Sequence, residues 1–527
     1  MTKVFGALRA RFTLNRLLVA IVLVAVFLGV VALVQDDSAS HTDHAVALVP
    51  TNALLYAHLE VDRDSSQWRN ASRILDKLPA LTRLRDQALG ELAAGRSPKQ
   101  LDAALRPWLG DEAALALLPS GRRATSLVLL KVGDLQAAKS FLAGAGRSRI
   151  ALYRDTQVRM YKTLAAAFVD DFLAIGRIDN VHAAIDAGAG RALAENPVFR
   201  DAREGLDVGG PLLFAYAPGD GVRRLLQEQQ GLVGRLGDAL ARPALRGTAA
   251  AVRFESDGMR VSTANVDYPR LPGAAATAPS FTPRLPRSVP EDAMAYYGVR
   301  GVSRLFERLE ALSGGRESEI SVAVARLRRQ LRPSGVRALR RALRPLERRE
   351  AALIVTPPDD APIVSLIVGD TTREEGGAVL IALQPLLSRV VRSTSGGAAA
   401  TLVPGSEDGI ETITLQVNPE LSLTYASLGN RIIVSTDPDG VRQVAQAENT
   451  LLGADAFAPG MRGLLRQATS IVFLDLHRLS SLIERAGLGT TPEYRTIEPE
   501  LARIGAMSVI TQNEGPSQTA EAFIEVP

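Results

Sequence analysis

The sequence predicts an α+β protein in which an N-terminal transmembrane helix precedes two tandem homologous domains, each a largely antiparallel β-sheet with packed helices. Three observations carry this expectation. Leu17 to Val34 is an unbroken run of 18 apolar residues. Short strand-like segments alternate with helical spacing but keep no strict βαβ rhythm, the pattern of helices packed on an antiparallel sheet. Residues that open the first half of the chain return in the same order in the second.

The apolar run LLVAIVLVAVFLGVVALV would be about 27 Å long as a helix, close to the hydrocarbon thickness of a bilayer. Lys3, Arg9, Arg11 and Arg16 precede it, and Asp36 and Asp37 follow. The positive-inside rule therefore puts residues 1–16 in the cytoplasm and makes residues 17–34 the single membrane span, with periplasmic or extracellular domains beyond. A cleaved signal peptide competes, but the run is long for one and no convincing small-x-small site adjoins it. Residues 35–47 read as a polar tether. Its His41, Asp43 and His44 have ligand-type side chains. A flexible spacer cannot preorganise a coordination sphere, however, and His58, His182 and His477 stand alone in the sequence. No metal site and no cofactor are assigned.

At 527 residues and 46% hydrophobic content, the chain can bury two or three cores of ordinary size. Its formal charge of +4 is small and its signs are mixed, so nothing points to nucleic acid. The lack of cysteine removes disulfides, thiolate metal sites and cysteine nucleophiles together.

The first domain spans residues 48–267. It opens with a strand over Ala53 to Val61, followed by helical spacing from Ser66 to Gly110 through Trp68, Ile74 and Leu78 and then Leu81, Leu84 and Leu89. Strands are expected over Ala113 to Leu118 and Ser126 to Val132, then a helix from Asp134 to Ala143. Runs at Ile150 to Tyr153, Val158 to Thr163 and Ala166 to Ile175 read as an antiparallel meander. Helices near Asn180 to Asp186 and Pro197 to Glu204, a strand at Leu212 to Tyr216, a helix at Val222 to Leu240 and a hairpin turning at Asp257 and Gly258 complete it.

Residues 268–287, rich in proline and alanine, read as a linker to a second domain over 288–527. The two domains repeat one another. Val49, Pro50, Ala53 and Tyr56 recur as Val289, Pro290, Ala293 and Tyr296, an offset of 240. EAALALLP at Glu112 recurs as EAALIVTP at Glu350, an offset of 238. Val132, Gly133 and Asp134 return as Val368, Gly369 and Asp370, Phe214 as Phe473, and Gly258 as Gly515. Units of this length are whole domains and not solenoid repeats.

The proline before the opening strand, WLGDE from Trp108 to Glu112, VGDLQAAKSFL, and LAENPVFRDA from Leu193 to Ala202 together resemble the bacterial family called domain of unknown function 3352. The likeness covers most of the first domain and is weaker in the second, where PLERRE replaces WLGDE. The resemblance implies an envelope protein, often membrane-anchored, and gives no residue a function.

Several local patterns yield structural readings. GDLQAAKS at Gly133 looks like a phosphate-binding loop but lacks its second glycine, so Asp134 and Asp370 are read as helix caps. Asp170 and Asp171 adjoin, which in a strand sends them to opposite faces. Asp437 to Gly440 has the composition of a turn into a helix, and Asp359 with Asp360 that of a hairpin loop. Neither GxSxG, SxxK nor HExxH occurs, which removes the nameable hydrolases.

The most unusual stretch is Arg326 to Glu350, with ten arginines against two glutamates. Leu327, Leu331, Val336, Leu339, Leu343 and Leu346 give it an apolar side, so it reads as a basic amphipathic helical hairpin. Arg326, Arg328, Arg329, Arg332, Arg337, Arg340, Arg341 and Arg344 are then the candidate contacts to anionic lipid or an acidic envelope polymer; the bland reading is a solvated face packed by its leucines. The expectation for the whole chain is a non-catalytic envelope protein that binds or scaffolds a protein, lipid or polymer, with no catalytic residue assigned. An extracytoplasmic hydrolase with a dispersed site and a carrier of an apolar ligand are the alternatives.

Overall fold

The computed structural model describes residues 43–61, 65–78, 103–121, 123–206, 210–226, 244–268, 279–305, 341–357, 362–394, 402–418, 421–461, 467–485, 501–514 and 517–527, with positions 337, 338, 495 and 498. The expected span at 17–34 lies outside these residues. Among the described residues no helix is long and apolar enough to cross a membrane. The chain forms two compact units. One runs to Ala276 and takes in Glu514–Glu521 and Val526; the other covers Thr277–Asn513 with Ala522–Glu525 and Pro527.

Alternating apolar and polar residues build the first unit's strands. They are β1 (Leu55–Glu60), β2 (Leu109–Ser120), β3 (Arg123–Val132), β4 (Arg149–Tyr153) and β5 (Thr156–Met160). After these come β6 (Ala165–Val169), β7 (Phe172–Gly176), β8 (Leu213–Pro218), β9 (Leu245–Phe254) and β10 (Gly258–Asp267). Helices α1 (Ser66–Lys77), α2 (Leu135–Gly144), α3 (Ile178–Gly188), α4 (Pro197–Glu204) and α5 (Gly219–Leu226) intervene. Their pairings are antiparallel, and the strand order is β10-β9-β8-β1-β2-β3-β7-β6-β5-β4.

The second unit carries β11 (Ala295–Arg300), β12 (Glu350–Thr356), β13 (Ile363–Val368), β14 (Leu402–Glu407) and β15 (Ile410–Asn418). It continues with β16 (Leu421–Leu428), β17 (Arg431–Ser435), β18 (Ala468–Asp475) and β19 (Ala506–Glu514), and the chain closes with β20 (Ser517–Glu525). Helices α6 (Arg373–Thr394), α7 (Pro438–Ala445), α8 (Ala458–Met461) and α9 (Leu476–Arg485) lie between them. The order is β19-β18-β11-β12-β13-β17-β16-β15-β14, again antiparallel. Shifted by ten, each strand from β11 to β19 takes the place of one in the first unit. The α+β expectation with antiparallel sheets is therefore met.

Aromatic rings anchor each core. Phe199 makes edge-on contacts with Tyr56, Phe214 and Tyr216, and Phe457 does the same with Tyr296 and Phe473. Such pairs add to burial because ring edges are positive and faces negative.

Four sequence expectations change. Residues 35–47 are not spacer throughout, because Asp43 is buried and Ala45–Leu48 forms a 3₁₀ turn packed by Ala45, Val46 and Leu48. The end of the expected linker behaves alike: Phe281 and Leu285 are buried, and Leu285–Ser288 is a 3₁₀ turn. Isolated apolar residues in a polar or proline-rich stretch have no period to reveal them. The run Ala166 to Ile175 is two strands, folded at Asp170, whose φ of 47° makes the turn that Asp tolerates. Finally, Asp134 does cap its helix, accepting from Gln136 and Ala137 N–H, but Asp370 has φ 53°, outside the extended backbone of a capping residue. Thr372 takes over in a capping box: its Oγ1 accepts from Glu375 N–H while Glu375 Oε2 accepts from Thr372 N–H.

Candidate functional site

The polar residues that converge most closely are in the first unit, on the face of β1 and β2 that meets the 3₁₀ turn. On β1, Tyr56 and His58 share one face. Their partners in register on β2 are Ala116 and Ala114, and Glu112 stands one step further along that face. The small alanines leave room beside the imidazole. His58 is 5% exposed and Glu112 0%.

Asp43 enters from the other side. Its Oδ1 accepts from Val46 N–H at 3.1 Å, which caps the 3₁₀ turn, and from Tyr56 Oη at 2.6 Å. Its Oδ2 faces Arg203 Nη1 of α4 at 3.3 Å. Ligand atoms of Asp43, His58 and Glu112 all lie within 4.8 Å of one another.

Glu112 is held from several directions. His44 N–H donates to Oε2 at 3.0 Å, His44 Nδ1 lies 2.5 Å from Oε1, and Lys131 Nζ donates to Oε1 at 3.1 Å. Burial alone would push this carboxyl up; the histidines, the His44 N–H and Lys131 outweigh it and hold Glu112 well below the usual carboxylate range. For His58, burial favours the neutral ring, but the Asp43 and Glu112 carboxylates win and raise it above the ordinary value. Burial, then Asp43, keeps the Tyr56 phenol protonated far above its ordinary range. His58 Nε2 has no hydrogen-bond partner and lies 3.7 Å from Glu112 Oε2, beyond hydrogen-bonding distance.

The corresponding place in the second unit is almost stripped. Tyr296 and Glu350 remain, but Pro283 stands for Asp43, Gly298 for His58, Gly369 for Lys131 and Met461 for Arg203. Glu350 accepts from Arg284 and Leu285 N–H. With no buried cation beside it among the described residues, burial prevails and raises its carboxyl to about 7.

The sequence-derived candidates lie elsewhere. Arg326, Arg328, Arg329, Arg332 and Arg340 are outside the described residues. Arg337, Arg341 and Arg344 are exposed, while Ala342 and Leu346 between and beyond them are buried. Asp170 and Asp171 form an exposed turn, and Asp437 caps α7 by accepting from Asp439 N–H. His41, Asp359 and Asp360 are outside the described residues; His182 stacks on Tyr153 with ring centroids 3.6 Å apart. As sequence, Asp43 and His44 read as spacer and His58 as solitary. One signal was available: at the offset of 240, Asp43 and His58 are both replaced, by Pro283 and Gly298.

Fold and cluster define an α+β protein with a buried, charge-compensated centre in one of two like-ordered units. The chain belongs to a family of proteins of unknown function, DUF3352, whose model matches residues 17–524. The resemblance read from WLGDE and LAENPVFRDA is thereby borne out. No curated protein matches the chain. Among solved structures it is similar to TP0453: crystal form IV is 9% identical, with 42% of this chain and 79% of that chain covered at a TM-score of 0.25. Crystal form I is 10% identical, covering 43% and 80% at 0.26. Scores of this size support no inference about fold or function.

Proposed function

We propose that the chain is a membrane-anchored extracytoplasmic protein of the cell envelope that acts by binding, built by tandem duplication of one α+β unit. Residues 17–34 serve as its single membrane span, with residues 1–16 cytoplasmic. The observation that carries the reading is the shared strand order of the two units together with their unlike centres. A common frame is kept while the polar interior diverges, as expected when one copy specialises and the other keeps a structural role. In the specialised unit, the carboxylate oxygens of Asp43 and Glu112 already face fixed donors. That arrangement holds charge in place and suits a rigid binding module better than a proton shuttle. The exposed Arg337, Arg341 and Arg344 extend the reading to contact with anionic headgroups or an acidic polymer.

One observation favours a second reading, an extracytoplasmic hydrolase: Asp43, His58 and Glu112 converge in a single unit. The deciding experiment uses the full chain purified in mild detergent from its own host. Native mass spectrometry with a stoichiometric bound partner, lipid or polymer fragment, from a protein that only detergent extracts, is the expected result. Reproducible turnover that disappears in His58→Gln would replace the binding reading with the hydrolase.

A further inference from the structure

His58 presents a problem that the ion-paired description does not solve. A buried imidazole nitrogen without a partner costs free energy on the order of 1–3 kcal/mol. Nε2 is nevertheless aimed at Glu112 Oε2 across 3.7 Å, with Asp43 completing a group whose ligand atoms span no more than 4.8 Å. That spacing has a simple interpretation. In a tetrahedral site with bonds of about 2.1 Å, neighbouring ligand atoms stand about 3.4 Å apart.

We propose that Asp43, His58 and Glu112 bind one divalent transition ion of the zinc or manganese class, with His44 able to supply a fourth ligand. Imidazole nitrogen with two carboxylates is a donor set for such ions; calcium and magnesium prefer oxygen alone. The side chain of His44 is 57% exposed and already within 2.5 Å of Glu112 through Nδ1. It can turn toward the ion without repacking the core. The cations that now face the carboxylates both reach in from the surface, Lys131 at 24% and Arg203 at 43% side-chain exposure. Lys131 has Asp111, 2.9 Å away, to retain when the ion displaces it from Glu112. The second unit keeps Glu350 but not the other two ligands, and serves as an internal control.

The test titrates the untagged full chain, purified in detergent and freed of metal by chelation, with Zn²⁺ and Mn²⁺ in a calorimeter, and with Ca²⁺ and Mg²⁺ for comparison. Saturation at one transition ion per chain is expected, with affinity falling about a hundredfold in Asp43→Asn and in His58→Gln. Arg203→Met and Lys131→Met should tighten binding because they remove competing charge. Binding that His58→Gln leaves unchanged, or no saturation at one ion, overturns the proposal. Should the ligand variants fail to fold, X-ray absorption of the zinc-loaded natural chain decides: imidazole with oxygen donors in the first shell supports the site, and a shell without imidazole rejects it.

Discussion

Glu112 in β2 and Glu350 in β12 each accept a backbone N–H from the residue that precedes the 3₁₀ turn of their own unit, His44 and Arg284 respectively. The two carboxylates thus hold equivalent segments in place by the same hydrogen bond. What surrounds them differs. Glu112 faces Lys131 and two histidines, whereas Glu350 faces no buried cation and only the exposed Arg284 and Asp370.

The pH response of the second unit follows from Glu350. Its folded-state carboxyl titrates at about 7 against an ordinary value of 4.5. Between those values the native state binds more protons than the unfolded one. The contribution of this group is therefore complete below pH 4.5, declines as pH rises through about 7, and is flat above; the full change is about 3 kcal/mol. Glu350→Gln should abolish this component. Hydrogen exchange of β11 and β12 between pH 4 and 9, natural chain against variant, measures it, and an unchanged pH slope in the variant would contradict the assignment.

Glu112→Gln should act in the opposite sense. Removing this charge leaves the Lys131 ammonium and the exposed His44 ring without their acceptor and the buried His58 ring without its nearest carboxylate, and breaking such a group costs about 3 kcal/mol. Chemical unfolding at pH 7.5, read by exchange in β1 and β2, should show that loss in the first unit. The second unit should be unaffected. Equal destabilisation of both would refute the local account.

Much of the fold was legible because it rests on local patterns. The strand containing Tyr56, the Asp134 cap, the Asn196 to Glu204 helix and the repeated EAAL run each carry period or cap chemistry within a few residues. The site was not, because its members come from five separate segments: Asp43, His58, Glu112, Lys131 and Arg203 meet only after β1 pairs with β2. His58 occupies a strand position that periodicity marks as inward-facing, yet nothing local says what it will meet. Asp370 failed as a cap for a different reason. It repeats the Gly–Asp of Gly133 and Asp134, but the next two residues are threonines, and Thr372 with Glu375 offers a better capping box one step later.

That competition at the start of α6 is itself testable. Thr372→Ala should cost about 1 kcal/mol, as should Asp134→Ala at α2. Asp370→Gly should stabilise by up to about 1 kcal/mol, since glycine relieves the left-handed backbone and the 3.6 Å contact to exposed Arg284 is worth little. Thermal melts of the three variants check the order. If Asp370→Gly destabilised as much as Asp134→Ala, the side chain would be capping after all.

The sharpest consequence of losing Asp43 and His58 from the second unit falls on Tyr296. Asp43 holds the Tyr56 hydroxyl at 2.6 Å; the Tyr296 hydroxyl, buried without a hydrogen-bond partner, lies where a Cβ on Gly298 would meet it at 2.5 Å. Glycine is thus required at 298 by the tyrosine ring beside it. Gly298→Ala should cost about 1–3 kcal/mol by overpacking. Tyr296→Phe should be neutral or stabilising, because it deletes an unsatisfied buried oxygen. Combined, the two should cost less than the sum of the single changes, since the nearest clash, with the oxygen, is gone while ring carbons at 2.8 and 2.9 Å remain. Denaturant titration of both single variants and the double one closes the cycle, and simple additivity would show that the Tyr296 hydroxyl is not what excludes a side chain at 298.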